Sequence, residues 1–577
     1  MALDPLNRAV RAHQAGDLAA AARMYDEILQ HNPDHADALH LSGLIAFQAG
    51  RLDEAVRLIE KAVAADGAQA DYHANLGRIM QASGRSEDAI RSYSRAMDLE
   101  PETAVLYSDR AAALISLEIF DDARTDCDRA VALDTRLAEA HLNLGLVRLH
   151  DGESGPAIDS LKQAVLLAPD NGFAQFHYGV ALQAADRSGE AQVRYRRAIE
   201  IDPNHAEAHC NLGNILKDEG EFAAAQAEYR AAIAINPDLA EVHSNLGVVL
   251  HELADQQGAL DCFDRALDLA PEDAEIHRNR AVILLSQRRF AEGWQENEWR
   301  WRTKHFASVR REMDMPRWDG GDLSGKSILI RAEQGYGDTI QFMRYLPLVT
   351  ARGGDVVFEC PEALAGLGRG LVGAGRVVSD ASSMTDIDFH APLLSLPGIF
   401  VTDLSNIPAD VPYLIAEKPN LPETRKLHVG IAWRGSAAFK RDRIRSLGLG
   451  FLGELLETPG VTFVSLQKDN GPGDLAECGL AGVVRDDTAS WGDFSDTAAS
   501  VSGLDLVIAP DTAIIHLAGA LGIPVWAMLP YVADWRWMAE RDDSPWYPTM
   551  RLFRQRSPGD WAGVVGRVRE ELAALSA

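Results

Sequence analysis

Small and apolar residues recur along the first half of the chain with a period of 34 residues. Gap-free windows start at Ala2, Ala36, Ala70, Ala104, Ala138, Gly172, Ala206 and Ala240. Position 8 is always small (Ala9, Gly43, Gly77, Ala111, Gly145, Gly179, Gly213, Gly247), and position 20 is alanine throughout, from Ala21 to Ala259. Position 24 is large at Tyr25, Ile59, Tyr93, Leu161, Tyr195, Tyr229 and Phe263, and position 32 is proline at Pro33, Pro101, Pro169, Pro203, Pro237 and Pro271. The pattern predicts two antiparallel helices per window. Small residues at positions 8 and 20 allow close helix approach, and proline ends the second helix because it lacks an N–H and clashes with the preceding turn. The position-24 side chains are expected to fill the space between repeats. A ninth, degenerate window from Ala274 is expected to cap the array.

After about Phe290 the period changes. The tryptophan-rich stretch from Glu292 to Arg302 reads as a joining helix, and Pro316 to Gly321 as the turn into the next domain. Ser327–Ala332, Asp355–Cys360, His428–Trp433, Val461–Leu466, Leu504–Ile508 and Val525–Leu529 are short apolar runs of the kind a buried parallel strand needs. Helical stretches lie between them, the last from about Asp560 to Leu575. A polar, proline-containing linker at Glu417–Lys426 divides this half. The predicted fold is an all-α repeat solenoid over 1–290, a connecting helix and linker over 291–318, and two Rossmann-like α/β domains over 319–420 and 421–577 facing a cleft.

The 577 residues carry 85 acidic against 56 basic side chains, a net charge of −29. A nucleic-acid partner needs a basic footprint, so none is expected. No run approaches 18 charge-free apolar residues, and no membrane insertion is expected. The five cysteines are scattered without a CxxC pair, and the N-terminus carries no basic and apolar leader. Together these predict a soluble protein of a reducing, cytoplasmic compartment.

Several residue groups carry candidate chemistry. Position 6 of the window is asparagine at Asn7, Asn75, Asn143, Asn211, Asn245 and Asn279, interrupted by Leu41, Asp109 and His177. An asparagine both donates and accepts, so such a column can bond a peptide backbone or satisfy the repeats themselves. Histidines at position 4 (His73, His141, His209, His243, His277) are one repeat apart, too far for shared metal ligation, and read as helix packing. Gly335-Tyr336-Gly337-Asp338 follows the first strand, with Asp338 at a helix start, where its structural role is capping. Asp511, Thr512 and His516 follow a buried strand and open a helix, a natural place for an anion. The loop from Arg434 to Arg445 carries Lys440, Arg441, Arg443 and Arg445, suited to phosphate. No metal-ligand motif or P-loop is present, so no metal is expected.

The 34-residue pattern resembles the tetratricopeptide repeat, and its asparagine column resembles the ladder of the nucleocytoplasmic protein O-glycosyltransferases. Glu333–Pro347, Pro392–Phe400, Asp511–Pro530, Asp534–Trp537 and Ser544–Gln555 resemble the bacterial tetratricopeptide-repeat glycosyltransferases, whose catalytic half is similar to the heptosyltransferases. The resemblance implies a GT-B fold and no cofactor beyond a nucleotide-sugar co-substrate. It implies Asp338 as general base and a donor site at Asp511, Thr512 and His516, with Lys440 as the phosphate lysine and Ala513 in place of the family's glycine; the loop chemistry adds Gly335, Gly337, Arg441 and Arg445 to the expected donor site. The implied activity is metal-independent sugar transfer to Ser or Thr of a protein held by the repeats, with Asn75, Asn143, Asn211, Asn245 and Asn279 on the acceptor and flagellin as the named acceptor. Transfer to lipopolysaccharide or another glycan, and a non-enzymatic scaffold or flagellin chaperone, are the alternatives.

Overall fold

The computed structural model describes residues 4–307, 310–311, 313–333, 335–371, 373–419, 426–436, 442–469 and 471–577. The chain divides into two compact units, 1–237 and 238–577.

The first unit is a run of antiparallel helix pairs, from Pro5–Gln14 with Leu18–His31 to Ala206–Glu219 with Phe222–Ile235. The window predicts these elements closely, and position 24 packs on its own repeat as well as reaching the next, where Tyr25 joins Ala38 and Ile45 and the Tyr195 hydroxyl meets Asn211. A Cβ on Gly77 would lie 2.6 Å from the Tyr93 ring, and one on Gly179 or Gly213 would meet Tyr195 or Tyr229 at 2.6 and 2.7 Å. The large side chain therefore lies flat on the small residue of its own partner helix. Gly77→Ala is expected to destabilise the chain by about 1–3 kcal/mol through overpacking. Urea unfolding should show this, and Tyr93→Leu in the same chain should return part of the loss. An unchanged midpoint for Gly77→Ala would refute the packing argument.

Position 4 closes the turn between repeats. His73, Tyr107, His141, Gln175 and His209 each donate to the carbonyl oxygen six residues earlier, on Gly67, Pro101, Thr135, Pro169 and Pro203, at 2.9–3.2 Å. That carbonyl follows a helix end and lacks an intrahelical partner. The helix-packing reading of the histidines is thus refined to a staple that any long donor can make.

The second unit opens with the helix pairs Ala240–Glu252 with Gln256–Leu269 and Ala274–Ser286 with Phe290–Asn297. The tryptophan stretch is more than a joint. Trp294 is buried in the core of the α/β region and its indole N–H donates to the Thr402 carbonyl at 2.9 Å. Arg300, 2 % exposed, bonds Glu333 (2.8 Å), Glu298 (2.9 Å) and Ser395 (2.8 Å), fixing this stretch to the segment that leaves the first strand.

Two parallel sheets follow. In the first, β1 (Ser327–Arg331), β2 (Asp355–Glu359), β3 (Arg376–Val378) and β4 (Phe389–Pro392) are ordered β3-β2-β1-β4. In the second, β5 (Leu427–Ile431), β6 (Val461–Ser465), β7 (Val484–Arg485), β8 (Leu506–Pro510), β9 (Val525–Leu529) and β10 (Met550–Arg554) are ordered β10-β9-β8-β5-β6-β7. One buried core runs from Ile328 and Phe342 to Val507, Trp537 and Leu552 and joins the sheets. In each sheet the strand order reverses beside the first strand, at β1/β4 and β5/β8. Crevices beyond the carboxyl ends of the strands at such points are where open α/β sheets bind ligands.

Candidate active site

A cavity of about 880 Å³ lies between the carboxyl ends of the two sheets. The first sheet contributes Gly335, Tyr336, Gly337 and Asp338, which follow β1. The second contributes Arg434 and Gly435 after β5, Gln467 to Asp469 after β6, and Asp511 to Ile514 with His516 after β8. Gly335 has φ +71°, a left-handed turn that lets the chain leave β1 and enter the helix Tyr336–Phe342 at once. Gly337 sits where this helix meets Ala513–Ala520. A Cβ there would lie 3.0 Å from the His516 ring and 3.5 Å from the Ala513 Cα.

Arg536 draws the site together. Its guanidinium bonds Asp338, Asp534 (2.8 Å) and Gln341 (2.6 Å). Asp338 therefore makes no helix cap, the structural role its position offered, and instead faces the cavity on an arginine. Burial raises its carboxyl pKa above the ordinary value, with Arg536 opposing. Asp511 accepts from the Trp537 indole at 2.9 Å. Burial, helped by Asp534 and opposed by the Trp537 bond, pushes its carboxyl up to about 6. His516 is buried, with Nδ1 3.0 Å from the Tyr547 hydroxyl and Nε2 3.9 Å from Asp511. Burial and the arginines 536, 344 and 445 lower its pKa well below the usual histidine value, which keeps the ring neutral. The Thr512 Oγ1 is buried at the cavity wall and has no hydrogen-bond partner among the described residues. A buried hydroxyl left in that state loses the free energy of a hydrogen bond unless a ligand supplies one.

Of the residues singled out from sequence, Gly335, Gly337, Asp338, Arg445, Asp511, Thr512 and His516 line this one cavity. Lys440 and Arg441 lie outside the described residues. The window asparagines are elsewhere. Asn75 bonds His40 at 2.9 Å, Asn143 the Ser108 carbonyl at 3.0 Å and Asn211 the Tyr195 hydroxyl at 3.4 Å, each on the neighbouring repeat. Asn245 and Asn279, both half-buried, lie in the second unit at the same position of adjacent windows. Residue-by-residue reading missed Arg536, Trp537 and Lys468. Lys468 reaches the Trp491 carbonyl at 2.9 Å on the cavity rim. The only signal for Arg536 and Trp537 was their place in the Asp534–Trp537 segment.

Residues 12–79, 74–138, 189–218, 213–253 and 240–273 match tetratricopeptide repeat families. The protein FlbA of Caulobacter vibrioides is 31% identical over 328 residues, 51% of this chain and 54% of FlbA. The chain thus spans about half the length of this curated relative. Among solved structures, YrrB, described as a TPR protein with an unusual peptide-binding site, is 26% identical and covers 32% of this chain and 94% of its own, with a TM-score of 0.29. MamA is 27% identical over 29% of this chain and 96% of its own, with a TM-score of 0.26. Among the described residues no helix is long and apolar enough to cross a membrane.

Proposed function

We propose that the chain is a protein O-glycosyltransferase of GT-B type, in which the repeats hold a protein acceptor and the cavity between the sheets holds a nucleotide-activated sugar. The observation that carries the reading is the convergence of Asp338 from one sheet with Asp511, Thr512 and His516 from the other on a single cavity. The acceptor Ser or Thr oxygen attacks the anomeric carbon as the bond from that carbon to the leaving phosphate oxygen breaks. The leaving nucleotide takes that bond's electron pair, and the hydroxyl proton passes to Asp338 as the new bond forms. Arg445, the Thr512 hydroxyl and the backbone N–H groups opening Ala513–Ala520 meet the charge that develops on the phosphate. His516 stays neutral and positions the base of that helix through Tyr547. Repeats and cavity in one chain raise the local concentration of the acceptor. Flagellin is the acceptor we name, on the resemblance, with the half-buried window asparagines Asn75, Asn211, Asn245 and Asn279 offered as its contacts; Asn143 is buried against Ser108 and is left out of that set.

The test is to incubate the purified chain with flagellin and, in turn, UDP-, GDP-, ADP- and CMP-activated sugars in the presence of EDTA, and to read the intact mass of the acceptor. A sugar-sized increase with one donor class is expected. The matching free nucleotide should raise the melting temperature of the chain by mass action, and Asp511→Ala should remove that shift. No mass increase with any donor, together with no nucleotide-dependent shift, would leave a repeat scaffold as the reading.

A further inference from the structure

A second cavity, of about 290 Å³, opens at the carboxyl ends of β1 and β4, the reversal point of the first sheet. Arg302, Arg310, Arg311, Arg317, Arg331 and His390 line it. We propose that it binds an oxyanion, the phosphate or carboxylate group of a small ligand. The proposal stands apart from the transferase reading and survives its failure.

The charges in the wall do not cancel. Glu359 serves both Arg331 (2.7 Å) and Arg311 (3.2 Å), with Asp380 at 3.7 Å from Arg311. The two carboxylates of the lining, Glu298 and Glu333, are also held by the buried Arg300. Arg317 shares Glu298, and Arg302 reaches Glu272 at 2.7 Å. The Arg310 guanidinium has no ion-pair partner among the described residues. A chain of net charge −29 thus gathers uncompensated positive charge in one concave place. A second observation is independent of charge. Trp301 lines the same cavity, and its indole N–H is buried without an acceptor among the described residues. Such a donor ordinarily finds a partner, and an anion oxygen in the cavity would supply one. Burial, with Arg317 and Arg331 adding to it, holds His390 below the usual histidine range, so the ring there is neutral and available to donate. Arginine forks suit planar carboxylate and tetrahedral phosphate alike.

Calorimetric titration of the full chain with inorganic phosphate and, separately, with glucuronate tests this. Saturable binding of at least one anion is expected. Phosphate alone would point to a phosphate ester, glucuronate alone to a carboxylated sugar, and both to an oxyanion read by charge. Arg331→Gln should weaken the binding about tenfold, the loss of a charge-assisted bond, and Trp301→Phe should weaken it by less while keeping the ring. Arg310→Gln, exposed and without an ion pair among the described residues, decides the matter if Arg331→Gln does not fold. No saturable heat from either anion, or affinity unchanged in a folded Arg310→Gln and Trp301→Phe, would overturn the proposal.

Discussion

Asp338→Asn should lower the turnover of sugar transfer by about 10²–10⁴-fold, the usual worth of a positioned general base. Nucleotide-induced stabilisation should persist, because Asp511, Thr512 and Arg445 are untouched. The pH profile adds a sharper test. The base works only when ionised, so activity rises with pH through the Asp338 pKa. Burial raises that pKa, which puts the acid limb above the ordinary carboxylate range. Arg536 opposes the rise, so Arg536→Met should move the acid limb to still higher pH, besides any loss of rate. A limb that stays in place in Arg536→Met, or transfer by Asp338→Asn at the wild-type rate, would remove Asp338 from the role of base.

The largest stability effect is expected at Arg300. Its side chain is 2 % exposed and that of Glu333 is 1 % exposed. Removing one partner of such a pair leaves a charge buried without compensation, at a cost of about 3–5 kcal/mol. Arg300→Ala should therefore unfold at clearly lower urea concentration. The sign of its pH dependence follows from Glu333. Burial raises its pKa already, and Arg300 holds the rise in check. Without the arginine, the folded variant holds a proton on Glu333 that the unfolded chain releases near the ordinary glutamate pKa. Native protein then binds more protons than unfolded protein, so stability falls as pH rises between the two pKa values. The deficit of Arg300→Ala should be smaller at acid pH than at neutral pH. Equal deficits at both would show that Glu333 is not the group left exposed to the cost.

The repeat array was legible because its packing is local and recurrent: Gly77 meets Tyr93 and Gly213 meets Tyr229, always sixteen positions apart. What the window did not reveal was that the same large side chain packs on its own repeat as well as against the next. Strands β8 and β9 were legible because they are almost wholly buried and apolar throughout, and β1 because its Ile328–Ile330 centre is a buried apolar run. Strands β3 and β7 were not singled out because they are short and partly exposed, and β10 because Arg551 and Arg554 interrupt its apolar residues. The loops bearing Asp338 and Asp511 stood out as turns after buried strands. Arg536 did not, because its meaning lies in a partner 198 positions away. No local pattern encodes such a contact.

The staple at window position 4 bears on how such a chain changes over generations. Histidine, tyrosine and glutamine all make it, each to the carbonyl of its own turn. The geometry of the junction is thus insensitive to which of them is present, and insensitive to how many junctions precede it. A 34-residue unit therefore carries the closure of its own turn with it, whatever stands before it in the chain.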